Sequence, residues 1–123
     1  MKKLMIAAML AAATITGQVF AHGAEPKHGG IAKTANDLQF ELVVETQSAT
    51  LYIEDHGAPV ATAGAKGKLS ILNGTEKTEV ALQHAGANTL EVKNVPQLKK
   101  GAKIIAHVTL ADGKDVNVRF SLK

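Results

Sequence analysis

The chain of 123 residues contains no cysteine and no tryptophan, and its aromatic residues are one tyrosine and three phenylalanines. The lack of cysteine excludes disulfide scaffolds, thiolate zinc sites, iron–sulfur clusters and thiol nucleophiles. The scarcity of aromatic side chains argues against a surface that stacks nucleic-acid bases. A chain of this length has room for one small domain, and without disulfides that domain depends on its apolar core.

Catalytic motifs are also missing. The sequence has no Gly-x-Ser-x-Gly elbow and no glycine-rich, phosphate-binding loop that opens a helix. A copper enzyme with a histidine brace is disfavoured because so few aromatic side chains are available to support a substrate. We therefore predict that the protein is not an enzyme.

The N-terminal segment has the pattern of a secretory signal peptide. Lys2 and Lys3 form a positive n-region, residues 4–15 are almost continuously apolar, and small residues precede the expected cleavage point after Ala21. The apolar run is too short to cross a bilayer as a helix. Residues 1–21 are therefore predicted to be removed, which implies a periplasmic protein without stable membrane insertion; a retained membrane anchor is the alternative.

Cleavage would change the charge and the ligand inventory of the chain. Two of the 14 basic residues and all three methionines precede residue 22, so the net charge of +3 belongs mostly to the removed segment. The remaining chain is nearly neutral, which gives no argument for binding nucleic acid or an anionic membrane. Without cysteine or methionine it also lacks the sulfur ligands that Cu(I) prefers.

The hydropathy pattern after residue 30 has a period of two. Apolar side chains alternate along residues 38–44 and 51–54, residues 58–60 predict an edge segment, and residues 89–92 predict a further short strand. Seven or eight short strands without an amphipathic helix predict an all-β fold. We expect a single antiparallel β-sandwich of immunoglobulin-like type over residues 31–123, with a small barrel as the alternative.

Two hairpins can be predicted with their registers. Asn73-Gly74 is a strong signal for a two-residue type I′ turn, which would place Lys68 opposite Glu79.

The second hairpin is predicted to have a three-residue loop with Gly113 in the left-handed conformation. This register pairs Val108 with Val116 and keeps one face apolar, whereas a two-residue turn would mix the faces. It also places His107 on the outer face, opposite Asn117.

All five histidines survive the predicted cleavage. His22 would become the first residue, so that its free amine and its imidazole could chelate one metal ion together. Glu25 and His28 follow in a polar segment, residues 22–30, which we expect to be a flexible arm. Imidazole and carboxylate ligands suit Cu(II) and Zn(II). The alternative is a plain polar arm with solvated histidines.

The other histidines give weaker signals. His56 ends a strand and could share a face with Glu54, which makes it an auxiliary ligand or simply a turn residue. His84 falls in a predicted loop, and His107 falls on a predicted outer face. No two histidines have the short spacing that marks a strong metal site.

Three stretches carry a resemblance to known proteins: His28-Gly29-Gly30, residues 40–43 and residues 51–60. They are similar to small secreted proteins of Gram-negative bacteria associated with heavy-metal resistance. They are also similar to the N-terminal β-domain of CzcB-type periplasmic adaptors, whose coiled-coil, lipoyl and barrel parts are absent here. The resemblance implies a partner within a metal-efflux system and carries chemistry over to His28 and His56 alone.

A second resemblance concerns the expected N-terminal histidine. It resembles that of CopC-type copper carriers, which are small sandwiches of similar length. The Asp-Gly-His run of that family is replaced here by Asp112-Gly113-Lys114.

Together these patterns predict a periplasmic protein that binds Cu(II) or Zn(II) in heavy-metal tolerance. His22 and His28 are the expected primary ligands, and His56 and Glu25 the auxiliary ones. The alternative is an immunoglobulin-like accessory domain that binds a cell-envelope partner and no metal.

Overall fold

The computed structural model describes residues 24–123, which fold as nine antiparallel strands without a helix. The predicted signal peptide and His22 lie outside the described residues. The strands are β1 (Ile31–Ala35), β2 (Leu38–Val44), β3 (Ala49–Asp55), β4 (Ala58–Pro59), β5 (Lys66–Asn73), β6 (Glu76–His84), β7 (Thr89–Val92), β8 (Lys103–Thr109) and β9 (Asp115–Ser121). The all-β prediction is confirmed.

The strands form one sheet in the order β1-β2-β3-β7-β6-β5-β8-β9, with β4 paired to β3. β6 joins the two halves, because residues 76–82 pair with β5 whereas Gln83 and His84 pair with β7. β1 packs near β9, so the sheet nearly closes on itself. This arrangement is closer to the barrel alternative, and an immunoglobulin-like sandwich is not confirmed by it.

The interior is filled by the apolar side chains that alternate along the strands. Phe40 and Leu42 of β2 are buried, as the period of two predicted, and Leu51 and Ile53 of β3 face them. The largest fully buried apolar side chains are Phe40, Phe120, Leu42, Leu51, Ile53, Leu69, Ile71, Leu90, Ile104, Val108 and Val116. Outward side chains on the same strands carry the polar groups of the candidate sites.

Strand β1 was not predicted, although the turn that follows it has a recognisable signal. Asn36 and Asp37 both have positive φ, 51° and 65°, and Ala35 pairs with Leu38 across them. Positive φ at both central residues is the type I′ geometry, which asparagine and aspartate tolerate better than most residues. The Asn-Asp pair therefore creates the β1–β2 hairpin.

The register predicted for the first hairpin is wrong by two residues. Ser70, and not Lys68, lies opposite Glu79, and the turn is Gly74-Thr75 with Gly74 at φ 71°. Positive φ at the first central residue alone is a type II′ turn. A shift of two residues leaves the apolar face unchanged, so hydropathy could not reveal the error.

Asn73 explains the shift because its side chain is used elsewhere. Its Nδ2 donates to the Gln97 carbonyl at 2.9 Å, and its Oδ1 accepts the Lys99 N–H at 2.9 Å. The residue is buried at the end of β5 and anchors the loop that leads to β8.

Asn73→Ala is expected to lower the free energy of unfolding by about 2 kcal/mol, because the loop loses both hydrogen bonds in a buried position. Urea unfolding checks this, with exposed Asn94→Ala as the matched control. Equal midpoints for the two variants would show that this anchor contributes nothing.

The structure confirms the register predicted for the second hairpin. Val108 pairs with Val116, and Gly113 has a φ of 91° within the three-residue loop. His107 lies opposite Asn117 on the outer face, and its Nδ1 donates to the Asn117 Oδ1 at 2.7 Å. Here the turn residues and the apolar alternation specify the same register.

Candidate functional site

The first candidate site lies where the chain before β1 crosses the outer face of β2. Glu41 points outward between the inward-facing Phe40 and Leu42, yet it is only 6% exposed. Its carboxylate accepts the backbone N–H of Lys27 at 2.9 Å, of His28 at 2.8 Å and of Gly30 at 2.8 Å. We call residues 27–30 and Glu41 the arm clasp. These bonds would have to break for this part of the predicted flexible arm to move.

The His28 ring is held on two sides, by the Glu41 carboxylate and by the Tyr52 ring. Its Nδ1 lies 2.9 Å from Glu41 Oε1, and its ring stacks on Tyr52 with centroids 3.7 Å apart and planes 5° apart. An ionised carboxylate only accepts hydrogen bonds, so Nδ1 carries the proton and donates it. In the neutral ring this leaves the lone pair on Nε2 free, on a side chain that is 39% exposed.

Gly30 lets the clasp approach the sheet this closely. A Cβ on Gly30 would lie 2.3 Å from the Leu42 carbonyl oxygen. Because that oxygen belongs to the backbone, the clash could be relieved only by moving β2. The residue must therefore be glycine for its N–H to reach Glu41.

The electrostatics of Glu41 favour its ionised form. Burial raises the pKa of Glu41, but the hydrogen bonds from the His28 ring and from the backbone N–H groups of Lys27, Gly30 and His28 together lower it. The result is a pKa below the ordinary value for glutamate. The clasp is thus built around a carboxylate, and protonation of that group converts one of its two accepting oxygens into a donor.

This shift predicts a dependence of stability on pH. Because the folded-state pKa is lowered, the stabilisation by Glu41 is complete above its unfolded pKa of about 4.3 and is lost as the pH falls through the lower folded value. The melting temperature of the wild type should therefore exceed that of Glu41→Gln at pH 7, and the gap should shrink at acid pH. A gap that stays constant from neutral to acid pH would contradict the assignment.

Lys27 extends the arm clasp toward the end of β3. Its ammonium lies 2.9 Å from Glu54 Oε1, with the two side chains 54% and 20% exposed. An ion pair this exposed contributes about 0–1 kcal/mol. Glu25 lies beside a small cavity of about 20 Å³ that Glu41, Tyr52 and Glu54 also line.

His56 lies in the turn between β3 and β4. It has a φ of 53°, followed by Gly57 at 89°, so the two residues form a type I′ turn. Its ring Nδ1 lies 2.7 Å from Asp55 Oδ1, and its backbone N–H donates to Gln39. The ring partner is therefore Asp55 rather than Glu54, and the side chain is 78% exposed.

His84 is the last residue of β6 rather than a loop residue. Its Nδ1 lies 2.8 Å from the hydroxyl of Thr62, which is fully buried. That hydroxyl also lies 2.9 Å from the Thr89 carbonyl and 3.1 Å from the Gly86 carbonyl. A structural role accounts for these contacts, since they satisfy buried polar groups.

The structure thus fixes His28 and His56 by separate carboxylates, Glu41 and Asp55. Within residues 24–123, no group of three or more histidine, aspartate or glutamate side chains is arranged to hold a metal ion. The same residues contain no helix long and apolar enough to span a membrane.

Sequence reasoning missed Glu41 of the arm clasp and Tyr52, on which the His28 ring stacks. The available signal was a charged and an aromatic residue at outward positions of neighbouring strands. Only the pairing of β2 with β3 shows that these two residues lie opposite each other. The separation of 13 residues between His28 and Glu41 gives no local pattern.

Comparisons of the chain with protein-family models, curated proteins and solved structures find no match in any of the three. The resemblance to metal-resistance proteins and efflux adaptors therefore stays a prediction.

Proposed function

We propose that the protein binds a divalent metal ion, Cu(II) or Zn(II), with His28 Nε2 as the central ligand. The observation that carries this proposal is the 2.9 Å contact between His28 Nδ1 and the Glu41 carboxylate. Metal-binding histidines commonly donate their second ring N–H to a carboxylate, which fixes the tautomer and raises the basicity of the free nitrogen. The stacked Tyr52 ring holds the same orientation.

The remaining ligands come from the segment before the arm clasp. His22 precedes His28 by six residues, a length of chain that spans at most about 20 Å when extended. The imidazole and the free amine of His22 can therefore reach the same ion, and Glu25 lies between them in sequence. His56, whose Nδ1 is also held by a carboxylate, is an auxiliary ligand.

The biological setting in this proposal follows from the N-terminal segment and the resemblance. The signal peptide directs export of the chain to the periplasm, and cleavage after Ala21 frees the His22 amine. The protein then takes part in heavy-metal tolerance beside a component of a metal-efflux system, as a binding protein and not as an enzyme. Imidazole, amine and carboxylate ligands without sulfur favour Cu(II) or Zn(II) over Cu(I).

The accessory-domain alternative is supported by one feature of the fold. The outer face of β6, β5, β8 and β9 opens to solvent as a depression lined by these strands. The immunoglobulin-like form of this alternative stays a prediction.

Calorimetric titration of the processed protein with Cu(II) and Zn(II) tests the metal proposal. His28→Ala should weaken binding at least about tenfold, because it removes the central ligand, whose ring Glu41 and Tyr52 hold in place. His107→Ala is the matched control, since His107 is an outer-face histidine held by Asn117 on the far half of the sheet. Equal affinities for wild type and His28→Ala would refute the proposal.

A further inference from the structure

The second half of the sheet carries a distinct surface. Outward side chains of β6, β5, β8 and β9 line a shallow depression of about 620 Å³. Leu72 lies between Lys77 and Lys103 across neighbouring strands, and Ile105 lies opposite Arg119. We call these five residues the basic face.

The basic face combines an apolar floor with a cationic rim. Ile105 is half-buried, and Leu72, at 39% exposure, is the one exposed large hydrophobic side chain among residues 24–123. Lys77, Lys103 and Arg119 are exposed.

The charges of this surface do not cancel internally. Within the described part of the chain, no salt bridge involves Lys77, Lys103 or Arg119. The acidic side chain that lines the depression, Glu79, lies 3.5 Å from the Lys68 ammonium and accepts a hydrogen bond from Ser70 at 3.2 Å. Three cations therefore surround the apolar floor without forming an ion pair with any other residue in the range 24–123.

The shape and composition of the basic face restrict the classes of ligand that fit it. Its apolar residues form the floor of a depression, whereas binding to a bilayer surface requires apolar side chains that project into the lipid. The phenylalanine that lines the depression, Phe120, is buried and so cannot stack on nucleic-acid bases. A ligand that inserts an apolar group and presents several carboxylates matches both features.

We propose that the basic face binds an acidic segment of a partner protein. An apolar side chain of that segment packs against Leu72 and Ile105, and its flanking carboxylates pair with Lys77, Lys103 and Arg119. This surface lies on the opposite half of the sheet from the arm clasp, so the proposal does not depend on metal binding.

The direct test uses a fluorescein-labelled octapeptide of alternating glutamate and leucine, followed by anisotropy in the presence of EDTA. We expect saturable binding that weakens with added salt. The double variant Lys103→Glu/Arg119→Glu should bind at least about tenfold more weakly. Lys114→Glu, which carries half of this change of charge and lies near the tip of the β8–β9 hairpin, should leave the affinity unchanged.

A further variant tests the apolar floor separately. Ile105→Ser should weaken the affinity for the peptide about fivefold, since it removes apolar contact area. The salt dependence of that affinity should not change, because no charge is removed. Circular dichroism of each variant shows whether the sheet is intact.

Four results would overturn the proposal. One is the absence of saturable binding by the wild type, and another is equal binding by the charge-reversal variant and the wild type. The third is binding to phosphatidylglycerol vesicles with no binding to the peptide, which would make this face a membrane surface. Equal binding of a lysine-leucine peptide would likewise show that the cations select nothing.

Discussion

Replacing Glu41 with alanine is expected to lower the free energy of unfolding by about 3 kcal/mol. The carboxylate accepts three backbone N–H groups and the His28 ring, and a hydrogen bond to a charged group typically contributes about 1.5–3 kcal/mol net to stability. The loss is smaller than their sum because the released arm can be solvated. The variant should also release His28 from Tyr52.

Chemical denaturation measures the change in stability, and proton NMR of the Tyr52 ring measures the loss of stacking. The chain has one tyrosine and no tryptophan, so the tyrosine signal reports on this site alone. Glu45→Ala, at an exposed position just after β2, is the matched control. If Glu41→Ala unfolded at the same denaturant concentration as Glu45→Ala, the arm clasp would not be a stabilising element.

Phe120→Ala is expected to have the largest effect on stability, about 3–5 kcal/mol. Phe120 is 1% exposed, pairs with Ile104 across β8 and β9, and lies near the seam where the sheet almost closes. Removing the ring leaves a cavity that a small domain without disulfides or metal-bound cysteines cannot easily fill. Urea unfolding gives the magnitude.

Phe120→Leu provides the comparison because leucine restores most of the buried volume. It should recover more than half of the stability lost in the alanine variant. A loss below about 1 kcal/mol for Phe120→Ala would mean that the core does not depend on this ring.

Strand positions were largely predictable because burial follows a period of two. Along β8 and β9, apolar alternation and a glycine at the left-handed turn position specify one register, and both agree with the structure. The Asn73 hairpin shows where local reasoning fails. Its strongest turn residue is used in a contact with a loop 24 residues away, which no local pattern can reveal.

The hydropathy pattern does not determine the order of the strands in the sheet. Alternation shows which side chains face inward but not which strands are neighbours, and β6 pairs with β5 and β7 at different points along its length. The near-closure of the sheet, in which β1 packs near β9, could not be predicted either. It requires β1, whose few half-buried side chains do not alternate with a clear period of two.

The candidate metal site was predictable only in part. The histidine-bearing arm drew attention to His28, whereas Glu41 and Tyr52 become its partners through the pairing of β2 with β3. A buried carboxylate that orders three backbone N–H groups is a tertiary feature. The sequence shows it only as one charged residue in a strand.

The most direct test of the account follows the fluorescence of Tyr52 while Cu(II) is added to protein that has been exported and processed. Intact mass must first show whether His22 is the first residue. Cu(II) held at His28 Nε2 lies close to the stacked tyrosine ring, so we expect saturable quenching at one equivalent. One extra residue before His22 should weaken the quenching of Tyr52 by Cu(II), and His28→Ala should abolish it. Quenching that is absent, or that is unchanged in His28→Ala, would contradict the assignment of a metal site to the arm clasp.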